Sequence, residues 1–560
     1  MRIRLAFLLL FTTVAAGAQD ALHVREVDDY LTRMEAFGVS GVVVIMDRGK
    51  IVLEKGYGLA DRARNVPMTP DTLFDIGSIT KTYTGTAILQ LVDAGKLTLD
   101  DTLPKFFKEV PEEKRGITIR QLMTHTAGLP LYSGGDFDLA TRERMVKATL
   151  EPKLRFTPGS KWEYCNTCYQ LLTVIIEDLS GKPYEKYIHD HLLAPAGIRD
   201  TGYVIPDWLG RPTAIAYRGS IVDGSPLEKP WYGDGPSWNL RGAGGFMAPL
   251  RDLAKWDRAL RALPESIRKR HLEPVIATGR ANQMMAYSWF YRETPHGRLI
   301  MHSGGNGFFA VNLRRYVDRE LVVVFGTNNA DYDWQPTEGE ITARLLGTSK
   351  MAMPPAATMP SASLLKHAGR YKLPTGEEFE LRADRGQLVL NGAPAVLRLL
   401  GRHAKTLDTP RAREVEALAR EVTTAVGKKD FSLLTKNVPP DVEAAGEEKF
   451  YAEWMKEREE RHGPFVSATP LWTIAAEGED LHAYVLMRFA RGGEILAFQQ
   501  RAKGIYLHVP PRPVVPEVYR FVAQSANELV TWNPYIEAAT TLRVEPEAIV
   551  LGGTRAVRVR

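Results

Sequence analysis

The chain reads Leu73-Phe74-Asp75-Ile76-Gly77-Ser78-Ile79-Thr80-Lys81 where its first long helical pattern begins, at 81–95. Ser78 and Lys81 are three residues apart, and residues at that spacing meet on one face of a helix. A helix N-terminus lends partial positive charge to a hydroxyl that must become an alkoxide. A partly desolvated lysine can be neutral enough to take the hydroxyl proton. The segment is therefore a candidate for a serine nucleophile with a lysine base, and a solvated helix face is the alternative for an isolated Ser-x-x-Lys motif.

Two further motifs follow the serine along the chain. Tyr164-Cys165-Asn166 is the only Tyr-x-Asn among the 21 tyrosines. A phenol near a lysine cation is expected to have a lowered pKa and to relay protons, and Asn166 could hold a substrate amide. His302-Ser303-Gly304-Gly305 offers glycines that let a substrate backbone approach closely. The N–H groups of Ser78 and Gly305 are candidates for an oxyanion hole.

Two hairpin patterns frame a helical and looped middle region. Strand-like runs at 40–46 and 51–58 flank one turn, and runs at 307–316 and 320–327 flank another. The helices expected between them are 81–95, 119–125, 166–180 and 250–262. One sheet built from both ends, with helices packed beside it, is an α+β arrangement and not an alternating βαβ one.

A linker and a second region follow. Residues 347–363 are small, Pro-containing and nearly uncharged, as in a linker. Residues 371–392 predict two strands with a glycine turn, and strand-like patterns return near the C-terminus. Neither β fragment alone has enough strands to bury a core. We therefore predict one split β domain, 364–407 and 510–560, interrupted by an α+β insert at 408–509.

The 560 residues have an ordinary globular composition, with 44% hydrophobic residues, 25% charged residues and a net charge of +5. This excludes collagen-like, wholly disordered and polytopic membrane proteins, and the evenly spread charge does not suggest nucleic-acid binding. Arg2 and Arg4, a short apolar stretch and the small-residue site Ala16-Gly17-Ala18 predict a cleaved signal peptide over 1–18. We expect a periplasmic or secreted protein without an integral membrane segment after signal removal.

The two cysteines, Cys165 and Cys168, form a C-x-x-C pair. An oxidising compartment would permit a local disulfide, and two unpaired thiols in the core are the alternative. Redox or zinc chemistry is disfavoured, because the pair lacks a βαβ context and further ligands nearby.

These motifs resemble those of the serine β-lactamase and penicillin-binding-protein superfamily, above all class C β-lactamases, D-aminopeptidases, D-Ala-D-Ala carboxypeptidases and related esterases. The resemblance covers residues 25–345 and also rests on 119–129 (IRQLMTHTAGL), on Pro158-Gly159 and on Gly244-Gly245-Phe246-Met247. It implies a β-lactamase/transpeptidase-like catalytic domain over 19–346, with an antiparallel sheet flanked by helices.

The resemblance also implies a role for each motif. Ser78 would be the acylated nucleophile, and Lys81 and Tyr164 would share the proton transfer. The other implied site residues are Asn166, His302 and Gly304 for substrate binding, and the backbone N–H groups of Ser78 and Gly305 for the oxyanion hole. His125 is interpreted as structural, and no metal or organic cofactor is implied.

One departure from the family pattern bears on the substrate. His302 replaces the lysine that helps lactamases to hold a β-lactam carboxylate, which disfavours efficient β-lactamase activity. His-x-Gly occurs in peptidase-like and aminopeptidase-like members of the superfamily. Cys165 stands where the family usually has serine, which is not expected to abolish activity.

Outside the catalytic domain, 364–407 with 510–560 resembles a lipocalin-like β domain, and 408–509 resembles SnoaL-like α+β domains. The expected function is hydrolysis through an acyl-enzyme of small esters or D-amino-acid-containing amides and peptides. The alternatives are β-lactamase or D-Ala-D-Ala carboxypeptidase activity, and a lapsed enzyme that binds peptidoglycan fragments. Expected partners are the substrate and a second copy of the chain, in a homodimer through the C-terminal region.

Overall fold

The protein consists of two compact units in a computed structural model. Residues 40–330 form the first unit, and the remainder of the chain forms the second. No helix among the described residues is both long and apolar enough to cross a membrane. The structure describes residues 23–559 except for 219–220, 229–230, 281, 307–308, 330–333, 359–361, 385–386, 392–393, 402–406, 438–450, 453, 457, 461, 476–480, 491, 502–503, 508–517 and 534–537. The predicted signal peptide, 1–18, lies outside the described residues.

An eight-stranded antiparallel sheet forms the centre of the first unit. The strands of this unit are β1 Gly41–Asp47, β2 Lys50–Tyr57, β3 Leu59–Asp61, β4 Val66–Pro67, β5 Leu73–Asp75, β6 Ala216–Arg218, β7 Ile221–Gly224, β8 Met247–Pro249, β9 Ile276–Ala277, β10 Met284–Met285, β11 Phe290–Thr294, β12 Gly297–Gly305, β13 Ala310–Tyr316 and β14 Leu321–Thr327. The order in the main sheet is β2-β1-β14-β13-β12-β11-β10-β9. The two predicted hairpins are therefore confirmed as neighbours in one sheet.

The pairing of β1 with β14 joins the two ends of this unit. The register runs from Gly41 opposite Thr327 to Asp47 opposite Leu321. Both strands are runs of β-branched and aromatic residues that are buried along nearly their whole length. Such residues pack well on a pleated surface that is covered on both faces, which explains why these two runs form adjacent strands inside the sheet.

Some of the helices cover the sheet of the first unit, and the remaining helices belong to the second unit. The helices are α1 (23–35), α2 Thr80–Asp93, α3 Ile119–Met123, α4 Arg142–Leu150, α5 Asn166–Ser180, α6 Tyr184–Ile188, α7 Leu250–Ala262, α8 Glu265–His271, α9 Trp334–Leu345, α10 Ala362–Leu365, α11 Pro394–Gly401, α12 Pro410–Gly427 and α13 Ser432–Asn437. The four helices expected from the sequence are confirmed as α2, α3, α5 and α7.

Local capping sets where α3 begins and where α5 begins and ends. The Thr118 side chain accepts from the Gln121 N–H while the Gln121 side chain accepts from the Thr118 N–H, which is a capping box for α3. Cys165 Sγ accepts from Cys168 N at 3.0 Å at the start of α5. Gly181 ends α5 with φ +66°, a left-handed conformation that costs glycine little.

A closed antiparallel barrel of eight strands lies in the second unit. The strands of this unit are β15 Gly369–Lys372, β16 Glu378–Asp384, β17 Gln387–Asn391, β18 Phe465–Ala475, β19 Leu481–Phe489, β20 Gly492–Arg501, β21 Gly504–Leu507, β22 Val518–Ser525, β23 Glu528–Asn533, β24 Ala538–Glu545, β25 Ala548–Leu551 and β26 Thr554–Arg558. The barrel order is β15-β16-β17-β22-β23-β24-β25-β26, and β15 pairs with β26 to close it. Strands β18 to β21 form a separate sheet.

The barrel is compatible with the expected lipocalin-like domain, and the predicted fold class is confirmed. The strands on either side of the proposed insert pair directly, with Leu388 of β17 opposite Phe521 of β22. The expectation of two strands in 371–392 is wrong, because this region contributes to three strands, β15, β16 and β17. The first of these begins at Gly369, before the predicted start.

Candidate active site

The nucleophile segment turns sharply between β5 and α2. Gly77–Ile79 form a single turn of 3-10 helix that runs directly into α2 at Thr80. Gly77 has φ +50°, and its N–H donates to Asp75 Oδ1 at 2.7 Å. The Thr80 hydroxyl donates back to Gly77 O at 2.7 Å. These bonds hold Ser78 partly exposed at the start of an otherwise buried helix.

Lys81 lies directly beside the serine. Its Nζ is 3.0 Å from Ser78 Oγ and donates to Ala243 O at 2.5 Å. The side chain is fully buried, and this burial lowers the pKa of Lys81 to about 7, although the Asp136 carboxylate acts in the opposite direction. A large fraction of Lys81 is therefore neutral near pH 7 and able to accept the Ser78 proton.

Tyr164 completes the group around the nucleophile. Lys81 Nζ lies 5.0 Å from its ring centroid, and the neighbouring Ser78 side chain acts on the pKa of its phenol. The expectation that a lysine cation lowers its pKa is wrong: burial raises the pKa of Tyr164 well above its usual value. The physical reason is that the phenol is fully buried, and the loss of hydration disfavours its charged form. Tyr164 therefore stays a neutral phenol that donates and passes on protons.

The end of β12 passes against the nucleophile turn. A side chain on Gly304 would collide with Ile76 O, and its Cβ would lie 2.8 Å from Ser78 N. A side chain on Gly77 would in turn collide with Gly305 N. The backbones thus approach as closely as glycine allows. This proximity brings the Ser78 and Gly305 N–H groups, the predicted oxyanion hole, to the same place.

His302 lies on the same strand and is electrically neutral. Its Nδ1 lies 2.7 Å from Ser303 O, and its ring is tilted against Phe290 with 5.4 Å between centroids. Burial, with the charge of Lys81, lowers the pKa of His302 to about 3. Within the described part of the chain, its buried Nε2 has no hydrogen-bond partner. His302 therefore carries no positive charge toward a substrate at neutral pH.

Asn166 and His125 border the tyrosine. Asn166 is the first residue of α5, and its N–H donates to Leu131 O at 3.1 Å. His125 has φ +57°, its Nδ1 accepts from Cys165 N at 3.0 Å, and its ring stacks on Tyr164 with 4.4 Å between centroids. Burial lowers the pKa of His125 well below its usual value. These contacts fit the structural interpretation of His125.

The two cysteines on this side of the site form a disulfide. Cys165 and Cys168 are bonded to each other, so the alternative of unpaired thiols does not hold. The bond closes across the first turn of α5, directly after Tyr164. It thus fixes the backbone that presents the phenol.

One acidic residue of the site was not identified from the sequence. The charges of Lys81, Asp75 and Asp138 all act on the carboxyl of Asp136. Burial raises the pKa of its carboxyl to about 6. The residue belongs to an irregular loop, where periodicity gives no signal, and only the tertiary fold brings it to the lysine. In the part of the chain that the structure describes, no group of three or more His, Cys, Asp or Glu could hold a metal ion.

Comparison with known proteins agrees with this geometry. The family described as Beta-lactamase matches residues 27–346. The putative penicillin-binding protein PbpX of Bacillus subtilis (strain 168) is 33% identical over 236 residues, which are 42% of this chain and 58% of that protein. Penicillin-binding protein 4* of the same organism is 24% identical over 439 residues, covering 70% of this chain and 92% of that protein. The chain thus spans less than two thirds of the length of PbpX.

A solved structure shares the fold. The octameric penicillin-binding protein homologue from Pyrococcus abyssi superposes with a TM-score of 0.50 at 18% identity, covering 96% of this chain and 100% of that chain. The family match spans more than half of the sequence and includes all the site residues named above. The chain therefore belongs to the beta-lactamase family.

Proposed function

We propose that this protein is an exported serine hydrolase that acts through an acyl-enzyme on small esters or D-amino-acid-containing amides and peptides. The observation that carries the proposal is the 3.0 Å contact between Ser78 Oγ and a buried Lys81 whose pKa is about 7. A neutral amine at this distance can take the hydroxyl proton as the oxygen attacks.

The reaction follows from these contacts. Lys81 Nζ accepts the proton of Ser78 while Oγ bonds to the substrate carbonyl carbon. The N–H groups of Ser78 and Gly305 stabilise the oxyanion. The proton then passes from Lys81 through the Tyr164 phenol to the leaving alkoxide or amine, as the C–O or C–N bond breaks. Water attacks the acyl-enzyme, gives a proton along the same route and releases the acid, so that Ser78 regains its hydrogen.

Charge in the site favours esters and amides without a carboxylate over the alternative activities. β-Lactams and D-Ala-D-Ala peptides carry a carboxylate, which a cation in the site would have to hold. His302 is neutral above about pH 3, and Asp136 adds negative charge next to Lys81. Both features disfavour efficient β-lactamase or carboxypeptidase activity. The contacts that join Ser78 to Lys81 and Tyr164 disfavour the lapsed binding protein.

Export is part of the proposal and is supported by the Cys165–Cys168 disulfide. Disulfides persist in oxidising compartments and are rare in reducing ones. The mature protein is expected to begin near residue 19. Intact mass and N-terminal sequencing of protein recovered from the cell exterior or periplasm test this, and an uncleaved chain in the cytoplasm would contradict it.

The activity test uses a panel of four substrates. These are a p-nitrophenyl ester, a D-alanine anilide, a D-Ala-D-Ala peptide and a chromogenic cephalosporin. We expect turnover of the first two that Ser78→Ala and Lys81→Ala each abolish without unfolding the protein. Labelling by a fluorophosphonate reports the nucleophile independently of substrate choice. Retained activity or labelling in Ser78→Ala would overturn the mechanism.

A further inference from the structure

Lys81 has to carry a positive charge in a place that water does not reach. When it takes the proton of Ser78 it becomes an ammonium group, and its side chain is fully buried. Its Nζ donates to the uncharged Ala243 O and lies 3.0 Å from Ser78 Oγ. Within the described residues no carboxylate forms an ion pair with it. A buried charge without an ion pair needs another source of stabilisation.

Two tyrosine rings present their faces to this amine. Lys81 Nζ lies 5.0 Å from the ring centroid of Tyr164 and 5.7 Å from that of Tyr169. A cation within about 6 Å of a ring centroid is attracted by the negative face of the ring, and the attraction is stronger where water is excluded. Tyr169 is fully buried, so its ring acts on Lys81 from a position that a substrate does not reach.

The ring of Tyr169 is held in place from three elements of the fold. Tyr169 belongs to α5, its hydroxyl donates to Met123 O at the end of α3 at 2.8 Å, and the same oxygen lies 3.0 Å from Ser288 Oγ. Ser288 is buried with φ +69°, which is uncommon for a residue other than glycine. Its Oγ fills the space in which a Cβ on Gly85 would lie. Gly85 follows Lys81 by one turn of α2, so these contacts keep the ring in register with the helix that carries the amine.

The other ionisable groups near Lys81 do not replace this ring. The ring of His125 packs against that of Tyr169, with 5.1 Å between centroids. Burial lowers the pKa values of His125 and His302, so both are neutral and supply no counter-charge. The charge of Asp136 favours the protonated form of Lys81. Its contribution is the same in every variant at position 169 that keeps the backbone in place.

We propose that the ring face of Tyr169 stabilises the ammonium form of Lys81, which makes Tyr169 a positioning residue that sets the pH range in which Ser78 is activated. This inference rests on the proposed function and adds a residue to its proton-transfer step. In that step the Ser78 proton moves to Nζ as Oγ bonds to the electrophile, and the new positive charge faces the ring. A ring with a weaker negative face therefore lowers the pKa of Lys81. It also slows the reaction where Lys81 is neutral, because the charge that develops is less stabilised.

The test measures labelling of Ser78 by an uncharged fluorophosphonate, in which Oγ bonds to phosphorus, fluoride leaves and the proton goes to Lys81. Labelling rates of the full-length protein are followed against pH. Tyr169→Phe is compared with Tyr169→trifluorophenylalanine, which keeps the shape of the ring closely and weakens its negative face. We expect the rates of the wild-type protein and Tyr169→Phe to rise through about pH 7. The fluorinated variant should rise at a pH about 0.5 unit lower and level off at a slower rate.

Tyr184 offers a matched control. It is also fully buried, its hydroxyl lies 2.7 Å from Thr84 Oγ1 on α2, and its ring packs on Phe246 with 6.0 Å between centroids. The same two substitutions at Tyr184 therefore change a buried ring against the same helix. We expect them to leave the midpoint of the pH profile unchanged.

The outcomes separate the two proposals. Equal midpoints in Tyr169→Phe and the fluorinated variant would overturn the role of Tyr169, while labelling of Ser78 would still support the hydrolase. A midpoint that moves to higher pH would also overturn it, because hydration of Lys81 would then outweigh the ring. An equal shift in the Tyr184 variants would assign the effect to a general loosening of α2. Absence of labelling in the folded wild-type protein would overturn the proposed function and this inference together.

Discussion

The Lys81 ammonium and the Ser78 hydroxyl lie 3.0 Å apart, so the charge state of the lysine controls the nucleophile. Burial lowers the pKa of Lys81 to about 7, and only the neutral amine accepts a proton. We therefore expect kcat/KM for a neutral p-nitrophenyl ester to rise with pH through about 7 and then level off. A pH–rate profile with a substrate that does not titrate measures this. A profile that is flat across that range would assign the base to another group.

His125 acts on the reaction through Tyr164. Its ring stacks on the Tyr164 phenol ring, and its Nδ1 accepts from the backbone N–H of Cys165, the residue after Tyr164. We expect His125→Ala to lower kcat by about tenfold or more with little change in KM, because the phenol loses its orientation. His125→Asn should recover part of the loss, since asparagine tolerates the positive φ and offers an acceptor. If both variants lose activity equally and are unfolded, the role of His125 is purely structural.

At the scale of the element, the disulfide at the start of α5 closes a very short loop. Loop-closure entropy gives such a bond about 2 kcal/mol of stabilisation. We expect Cys165→Ser with Cys168→Ala to lower the free energy of unfolding by about that amount and to retain activity, because a serine hydroxyl can still accept from residue 168. The denaturant dependence of Ser78 labelling reports this unit selectively. A variant as stable as the parent would show that the disulfide constrains nothing beyond the helix cap.

Sequence patterns predicted these elements where local signals were strong. The helix-ending residues Gly95 and Gly181 placed α2 and α5 within a few residues of their observed bounds. The runs of β-branched residues did the same for β1 and β14. Residues 371–392 were expected to form two strands and contribute to three, because β15 has only four residues and so gives little periodic pattern. The pKa of Tyr164 and the position of Asp136 depend on tertiary burial and on charges from distant segments. No spacing rule reports such effects, so the residues of the site could be named but not their charge states.

At the scale of the whole molecule, the oligomeric state of the protein stays a prediction. The homodimer expected through the C-terminal region has no support in the comparisons, and the octameric state belongs to the Pyrococcus abyssi homologue.

Strands β15 to β17 and β22 to β26 lie far apart in the chain yet share one hydrophobic cluster. Its members from the two segments include Tyr371, Phe379, Leu381, Leu388, Leu390, Tyr519, Phe521, Leu529, Leu542 and Leu551.

The split barrel predicts how its pieces behave. A fragment of residues 364–405 would hold three strands with two unpaired edges, because β17 loses β22 and β15 loses β26. It would also lose more than half of the cluster that its apolar side chains need for burial. We expect this fragment to be unfolded alone, and 364–560 to form the barrel, as measured by circular dichroism and amide exchange. Limited proteolysis that releases 364–405 as a folded piece would contradict the nested arrangement, because the two segments would then not need each other to fold.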